Sequence, residues 1–555
     1  MGAPPQTARG ERFWSIVLAL LLLPLVAHFA FSSLGFNPMD DGFILASSRR
    51  LLDGEIPHRD FISIRPVGSP LLHIPEVLVG GDATFWLGRL VVWFQFALIA
   101  WIWTRLFRDS TGRGSSGVEA FAATCIAFVL TSHTFPLMPW HTVDGLALIS
   151  LGTLLATGSS RTGKVVGYAL LGAAALCKQN FLPMAPLAVL ILGDRRRWYA
   201  WGAALAPAVL YAVVLAALRA VPDAWEQLGS QTDLPLVGVI PYLSNRYFYA
   251  GLALGAGAIT VALRKPGTPG RHRSTTAAVF GLLLVLGTLL GVGLTMNRSD
   301  YFYLDWASFL LFGAALGAVG ARVWLRGWSD RPVRLATVAV LAAWTASLSL
   351  GYRTPALATG PLAAFLLGSA VEPWRTPEQP RGTGRLTLAM TALAIALLTV
   401  WSVARLQHVY HDRPARELTH RLDGVLPGGR FIRTNENTQV VMADLQRAVE
   451  RARGRPYVIV VDFAGYWVKA PQRNPLPIDW PQTLELNRAP LLQRVTGALE
   501  ARRGRGVVIV QKVYAADLAQ GFTSLQPGNY YYYVADYVRS VFQKSGETTY
   551  FEIYE

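Results

Sequence analysis

The sequence predicts a polytopic α-helical membrane protein with about thirteen transmembrane helices and a C-terminal soluble α/β domain. Of its 555 residues, 52% are hydrophobic and only 15% are charged. Apolar runs near the roughly 20 residues that a spanning helix needs recur as far as Arg405. From Gln407 onward the pattern changes to the shorter alternation of soluble strands and helices. A chain that is soluble throughout is therefore excluded.

The predicted transmembrane domain covers residues 1–405. Its first apolar run, Phe13–Leu34, follows Arg9 and Arg12 as a signal peptide would, but it is long and has no small-residue cleavage site, so we interpret it as a spanning helix. The other predicted spans are Phe85–Leu106, Ala120–Leu137, His141–Ala156, Val165–Cys177, Phe181–Leu192, Tyr199–Leu218, Tyr247–Leu263, Thr276–Met296, Leu304–Val323, Leu335–Leu350, Pro361–Val371 and Leu386–Val403.

The positive charge lies mostly in short loops, and it alternates from one loop to the next. With the N-terminus in the cytoplasm, the basic loops fall inside and the opposite loops carry few of the 51 Lys and Arg residues. This alternation requires a chain break at Lys178, Gln179 and Asn180. It predicts an extracytoplasmic C-terminal domain on a plasma (inner) membrane protein. It also accounts for the net charge of +16 without a nucleic-acid partner.

The two cysteines, Cys125 and Cys177, both lie in apolar runs. They provide neither a disulfide framework nor a zinc site, and we expect them to be small buried hydrophobic residues.

The two predicted extracytoplasmic parts differ in character. The first loop, residues 35–84, is acidic, and Phe43–Leu52 has the apolar spacing of an amphipathic helix at the membrane interface. Residues 406–555 are predicted to form the α/β domain. Its predicted strands are Tyr457–Val461, Val507–Val510 and Tyr550–Tyr554, and its helices include Val440–Arg453 and Ala489–Arg502.

Asp40 and Asp41 are the first candidates for chemistry, because they lie directly outside the first helix. A carboxylate there would deprotonate a hydroxyl nucleophile or share a divalent cation with a phosphate. The plain alternative is a helix N-cap in a solvated loop. His58, Arg59 and Asp60 follow in the same loop, where the alternative is an internal Arg–Asp surface pair.

Two further groups fall on the same predicted face. Lys178 with Gln179 and Asn180 suits a phosphate at the membrane surface, whereas a lysine alone is also explained by snorkelling. Arg298, Asp300 and Tyr301 lie in a later outside loop, supplemented by His141, and an aromatic belt is the alternative for the tyrosine. The predicted topology returns all these groups to one membrane face.

The Asp40–Asp41 pair after helix one and the His58 to Phe61 segment resemble the GT-C superfamily of integral membrane glycosyltransferases. The resemblance is to the branch with protein mannosyltransferases and the lipid A aminoarabinose transferase. It implies inverting transfer of a sugar from a polyprenyl-phosphate donor to a glycan, lipid or protein acceptor. Asp40 or Asp41 is then the base. The implied donor-phosphate ligands are Lys178, Gln179, Arg298 and Arg59, and the implied acceptor or sugar ligands are His58, Asp60, His141, Asp300 and Tyr301.

The resemblance favours a reaction without a metal, although Asp40 and Asp41 are the pair that would hold Mg²⁺ or Mn²⁺. A polytopic transporter or lipid flippase is the alternative from another class, but the charged groups lie at one face rather than at the bilayer midplane. A non-catalytic scaffold for cell-envelope assembly is a third interpretation, and it predicts dispensable loop aspartates.

Overall fold

The computed structural model describes residues 14–110, 116–231, 238–263, 306–349, 354–372 and 383–555. Within these residues, six helices are long and apolar enough to cross a membrane, and further apolar helices are shorter. The chain is therefore a polytopic membrane protein, as the sequence predicted. The predicted span Thr276–Met296 lies outside the described residues.

Each predicted span that falls mainly within the described residues coincides with a helix. The helices of the first part of the chain are α1 (Trp14–Phe31), α2 (Phe43–Leu52), α3 (Gly68–Leu72), α4 (Ile74–Val79), α5 (Thr84–Ser110), α6 (Gly117–Ser132), α7 (His141–Ala156), α8 (Arg161–Cys177) and α9 (Met184–Ile191). They continue with α10 (Trp198–Ala217), α11 (Val221–Leu228), α12 (Ile240–Leu243), α13 (Arg246–Leu263), α14 (Trp306–Arg326), α15 (Arg331–Ser347), α16 (Thr359–Val371) and α17 (Thr383–Gln407).

The break predicted at Lys178 is present. Helix α8 ends at Cys177, a short 3-10 turn covers Gln179–Phe181, and α9 begins after Pro183. Helices α7 and α8 pack closely because both carry glycine at their crossing: a Cβ on Gly167 would lie 2.4 Å from the backbone nitrogen of Ala156. This packing holds the first residue of α7 beside the end of α8.

The C-terminal part contains a four-stranded mixed sheet with helices around it. The sheet order is β3 (Tyr457–Val460), β4 (Val507–Gln511), β6 (Phe551–Tyr554) and β5 (Lys544–Glu547). Strands β3 and β4 are parallel, and β6 is antiparallel to both of its neighbours. A small hairpin joins β1 (His420–Arg421) to β2 (Arg433–Thr434), and the helices are α18 (Glu436–Glu450), α19 (Ala464–Trp467), α20 (Ala489–Glu500) and α21 (Tyr533–Val541).

The first loop and the C-terminal part share their hydrophobic cores. Phe36, Met39 and Leu45 pack into the same buried cluster as Ile459 and Phe463. The boundary predicted between residues 405 and 406 falls in the last turn of α17. The packing above the membrane helices thus joins residues from both sides of that boundary.

Polar contacts fix the same interface. Arg50 of α2 is buried, and it donates to Asp479 at 2.7 and 2.9 Å and to Glu55 at 2.7 Å. A Cβ on Gly42 would lie 2.1 Å from the Cα of Gly465, so the two backbones touch where α2 begins. These contacts place the Asp40–Asp41 turn against the C-terminal part.

Candidate active site

A local hydrogen-bonded turn holds Asp40 and Asp41. The Asn37 side-chain carbonyl accepts from the backbone N–H of Met39 at 2.9 Å and of Asp40 at 3.3 Å. Asp41 Oδ2 in turn accepts from the Asn37 N–H at 2.7 Å. Asn and Asp favour such turns because their short side chains bond nearby backbone groups. The turn aims the two adjacent carboxylates at different neighbours.

Asp41 is fully engaged by the protein. Its Oδ1 accepts from Arg89 Nη2 of α5 at 2.9 Å, and both residues are buried. The same guanidinium donates to the carbonyls of Ser32, at 2.9 Å, and Gly35, at 2.7 Å. Asp41 therefore anchors the turn to the membrane helices. We reassign this predicted base as a positioning residue, because both of its oxygens already have partners.

Asp40 has a different environment. Its Oδ2 accepts from the Tyr410 hydroxyl at 2.7 Å, and no further hydrogen bond to its side chain is found among the described residues. Burial raises its pKa to about 6, the Tyr410 hydrogen bond and the nearby His411 oppose this, and the charges of Asp41 and Asp462 add to it. Asp40 is thus a buried carboxyl group with Oδ1 free to take a proton near neutral pH.

Lys178 and His141 form a buried polar group beside this turn. Lys178 follows α8, and its Nζ contacts only Thr142 Oγ1, at 3.4 Å, within the described ranges. Burial, and then the charge of Arg65, lower its pKa to about 7. Both ring nitrogens of His141 are buried without a well-formed hydrogen bond among the described residues, although the ring lies close to the backbone of Cys177. Buried polar groups that lack partners indicate a place for a polar ligand.

Phe43 connects the acidic turn to these groups. It lies three positions after Asp40, in the first turn of α2, and its ring centroid is 5.8 Å from that of His141. The Arg65 guanidinium lies over the same ring, with its carbon 5.4 Å from the centroid. Arg65 also pairs with Glu485 at 3.0 Å, so part of its charge is balanced. Arg65 and His141 therefore both contact the Phe43 ring, and Arg65 is close enough to Lys178 for its charge to act on that amine.

The other predicted residues of the Lys178 group lie at the same place. Gln179 donates to the carbonyl of Ile64 at 2.9 Å, which joins the α8–α9 break to the first loop. Its Oε1 and the Nδ2 of Asn180 are buried and lack partners in the described part of the chain. Arg298, Asp300 and Tyr301 lie outside the described residues.

The His58, Arg59 and Asp60 segment is placed differently. His58 is buried, with Nδ1 3.0 Å from Gln227 Oε1 and Nε2 2.7 Å from the Tyr211 hydroxyl. Arg59 pairs with its neighbour Asp60 at 2.9 Å, and both are partly exposed. These contacts match the internal surface pair that was the plain alternative. We leave the three residues out of the candidate site, because their polar atoms are satisfied by one another and by α10 and α11.

Three residues of the C-terminal part complete the cluster, and the sequence analysis did not select them. They are Tyr410, Asp462 and Trp480. Asp462 lies two residues after the end of β3 and accepts from Trp480 Nε1 at 3.0 Å and from Gln511 Nε2 at 2.9 Å. The sequence contains one indication of a role for Asp462, which is its position just after a strand with a parallel neighbour. Ligands often bind at the carboxyl ends of such strands. Tyr410 and Trp480 carried no comparable pattern.

A second buried charged group lies behind the cluster. The His73 ring bonds Glu76 Oε1 at 2.7 Å and Asp144 Oδ1 at 3.0 Å. Burial alone would lower the pKa of His73, but the two carboxylates raise it to about 10. The two carboxylates thus favour the protonated form of His73.

The aspartate pair does not fit a divalent metal. Asp41 uses both oxygens for Arg89 and the Asn37 amide, so it has none to share with Asp40. The described residues contain no group of three His, Cys, Asp or Glu side chains with metal-binding geometry. We therefore assign no metal to this aspartate pair.

No protein-family model matches the chain, and no curated protein does. Among solved structures, the chain is similar to ArnT from Cupriavidus metallidurans bound to undecaprenyl phosphate. The identity is 14%, the TM-score is 0.38, and the match covers 99% of this chain and 98% of that one. Since a TM-score this low transfers neither ligand nor activity, we base the function on the contacts described above.

Proposed function

We propose that this protein is an inverting glycosyltransferase of the GT-C type, acting at the extracytoplasmic face of the plasma membrane. Its donor is a sugar on a polyprenyl phosphate, and its acceptor is a hydroxyl group of a cell-envelope glycan, lipid or protein. The main supporting observation is that Asp40, with a free Oδ1, lies three residues before Phe43, whose ring contacts Arg65 and His141, and that the charge of Arg65 also acts on Lys178.

The proposed reaction is a single displacement. Asp40 Oδ1 takes the proton of the acceptor hydroxyl, whose oxygen attacks the anomeric carbon of the sugar. The bond from that carbon to the phosphate oxygen breaks, and the electron pair leaves with the polyprenyl phosphate. One displacement inverts the anomeric centre. Tyr410 donates to Oδ2 and so keeps Oδ1 as the reacting oxygen.

Lys178 and Arg65 are the proposed ligands of the departing phosphate. Their charges stabilise the negative charge that develops on the leaving group. A bound phosphate raises the pKa of the buried Lys178 amine from about 7, so binding is coupled to its protonation. His141 and Gln179 supply neutral polar atoms nearby. Arg298 is a further predicted phosphate ligand from the sequence resemblance.

The test compares Asp40→Asn with Asp60→Asn, a second aspartate of the same loop. Purified protein in lipid nanodiscs receives undecaprenyl phosphate carrying radiolabelled mannose, galactose or arabinose, together with envelope extract as acceptor. We expect Asp40→Asn to lower the transfer rate by about 100-fold or more, because the general base is lost. Asp60→Asn should keep the wild-type rate. Transfer by Asp40→Asn within about threefold of wild type would contradict the proposal.

A further inference from the structure

We infer that Trp480 and Phe43 form the subsite for the donor's sugar ring, so that the C-terminal domain supplies part of the active site. The inference rests on the proposed function and adds to it a binding surface for a specific chemical group. It follows from the contacts of two aromatic rings, which reach the proposed phosphate ligands on one side and, through Asp462, the proposed base on the other.

The two rings make a corner. Their centroids are 5.6 Å apart and their planes meet at 69°. Both side chains are partly exposed, whereas Asp40, Asp462 and Lys178 around them are buried. Two aromatic surfaces at a steep angle offer one face for stacking and one edge for lateral contact with a saturated ring that has an apolar C–H face. A sugar ring presents such C–H faces.

The position of the corner matches the order of groups in the donor. On one side of Phe43 lie Arg65 and His141, which belong to the proposed phosphate group. Trp480 is the other neighbour of Phe43. Its indole N–H donates to Asp462, and the charge of Asp462 helps to raise the pKa of Asp40. The sugar of a polyprenyl-phosphate donor lies between its phosphate and the attacking hydroxyl. The aromatic corner occupies that intermediate place.

The C-terminal sheet fixes the orientation of the indole. Asp462 follows β3, and Gln511 is the last residue of the adjacent parallel strand β4. Gln511 donates to Asp462 Oδ2 at 2.9 Å, and its own Oε1 accepts from the N–H groups of Val461 and Asp462. Asp462 Oδ1 then accepts from Trp480. Asp462 is thus a positioning residue for the ring, since both of its oxygens are engaged by the protein.

The experiment measures binding to two lipids. Full-length protein in nanodiscs is titrated with undecaprenyl phosphate and with whichever radiolabelled undecaprenyl-phosphate sugar the wild type transfers. We expect Trp480→Ala to weaken binding of the sugar-bearing lipid at least about tenfold and to leave the affinity for the sugar-free lipid unchanged. Trp480→Phe keeps an aromatic face and should restore most of the preference. Tyr530→Ala removes an exposed aromatic side chain of the same domain and is the matched control.

The outcomes separate the two proposals. If the wild type prefers the sugar-bearing lipid and Trp480→Ala keeps that preference, the sugar subsite is wrong and the proposed function stands. Equal weakening of both lipids by Trp480→Ala indicates general damage and also overturns the subsite. If the wild type neither transfers a sugar nor distinguishes the two lipids, the proposed function itself fails. Unchanged binding of the sugar-free lipid shows in the same titration that the variant is folded.

Discussion

The Asp40–Asp41 turn and the His58–Asp60 segment belong to the same loop and contain similar residues, but their surroundings differ. Asp41 is paired with a buried arginine from a membrane helix, and Asp40 keeps an oxygen without a partner among the described residues. Arg59 and Asp60 satisfy each other at the surface, and His58 has partners on both ring nitrogens. The charged residues of the sequence therefore do not distinguish the Asp40–Asp41 turn from the His58–Asp60 segment. The difference lies in which charges are buried with unused hydrogen-bonding capacity.

The largest expected contrast between the two regions is in stability. Arg89→Leu leaves the Asp41 carboxylate buried without its cation, which should lower the free energy of unfolding by about 3–5 kcal/mol. Arg59→Leu removes an exposed partner of Asp60 and should change the free energy of unfolding little. Thermal unfolding in detergent, followed by intrinsic fluorescence, measures both. Equal unfolding temperatures for the two variants would show that the Asp41–Arg89 pair is not an anchor.

The next contrast is in lipid binding. Lys178→Ala should lower the affinity for undecaprenyl phosphate by about 10- to 100-fold, because a charge-assisted contact with the phosphate is lost. Arg59→Ala should bind like wild type, since the Arg59 guanidinium is committed to Asp60. Competition with radiolabelled lipid in nanodiscs provides both affinities. A larger loss for Arg59→Ala than for Lys178→Ala would return the phosphate site to the His58–Asp60 segment.

The smallest contrast concerns pH. Because the pKa of Asp40 is raised to about 6, the transfer rate should fall below pH 6 and reach about a tenth of its maximum one unit lower. The hydrogen bonds from Arg59 lower the pKa of Asp60, so a base at that position would keep its activity down to pH 4. The transfer rate measured between pH 4 and 8 shows whether Asp40 or Asp60 is the base.

The same shift makes a prediction for stability. The folded protein holds the Asp40 proton more tightly than the unfolded chain between about pH 4 and 6, so the contribution of Asp40 to stability falls as pH rises through that window. Above it the ionised carboxylate is a buried charge. Asp40→Asn should therefore unfold at the same temperature as wild type or a higher one at pH 7.5. A clear decrease would point to a structural role for Asp40.

Much of the fold was accessible from the sequence, because membrane helices and strands are defined by local patterns. The amphipathic helix predicted at Phe43–Leu52 has those bounds in the structure, and α7 begins and ends as predicted. The predicted helix from Ala120 to Leu137 instead ends at Ser132. The prolines at 136 and 139 follow closely, and each removes a backbone donor and disfavours the helical conformation of the residue before it. Strand β5 was missed, since its sequence Lys544–Glu547 is polar and mostly exposed.

The candidate site was only half accessible. Asp40, Lys178 and His141 could be selected because each is a polar residue at the edge of an apolar run. Tyr410, Asp462 and Trp480 reach the site through tertiary packing of a domain far along the chain, which a single sequence does not encode locally. The His58–Asp60 segment was selected for its charge, and the arrangement of its partners was not visible in the sequence.

The contact between Tyr410 and Asp40 joins positions 370 residues apart, and it has a consequence for biogenesis. The ribosome delivers the first loop long before the residues that pack against it. Phe36 and Met39 must wait for their apolar partners in the last part of the chain, as Asp40 must wait for its hydroxyl donor. A nascent chain whose membrane helices are already inserted therefore does not yet have the proposed active site assembled. Chains terminated before the final strands are expected to be inserted in the bilayer without the proposed activity, and their uncovered apolar surface would expose them to quality-control proteases.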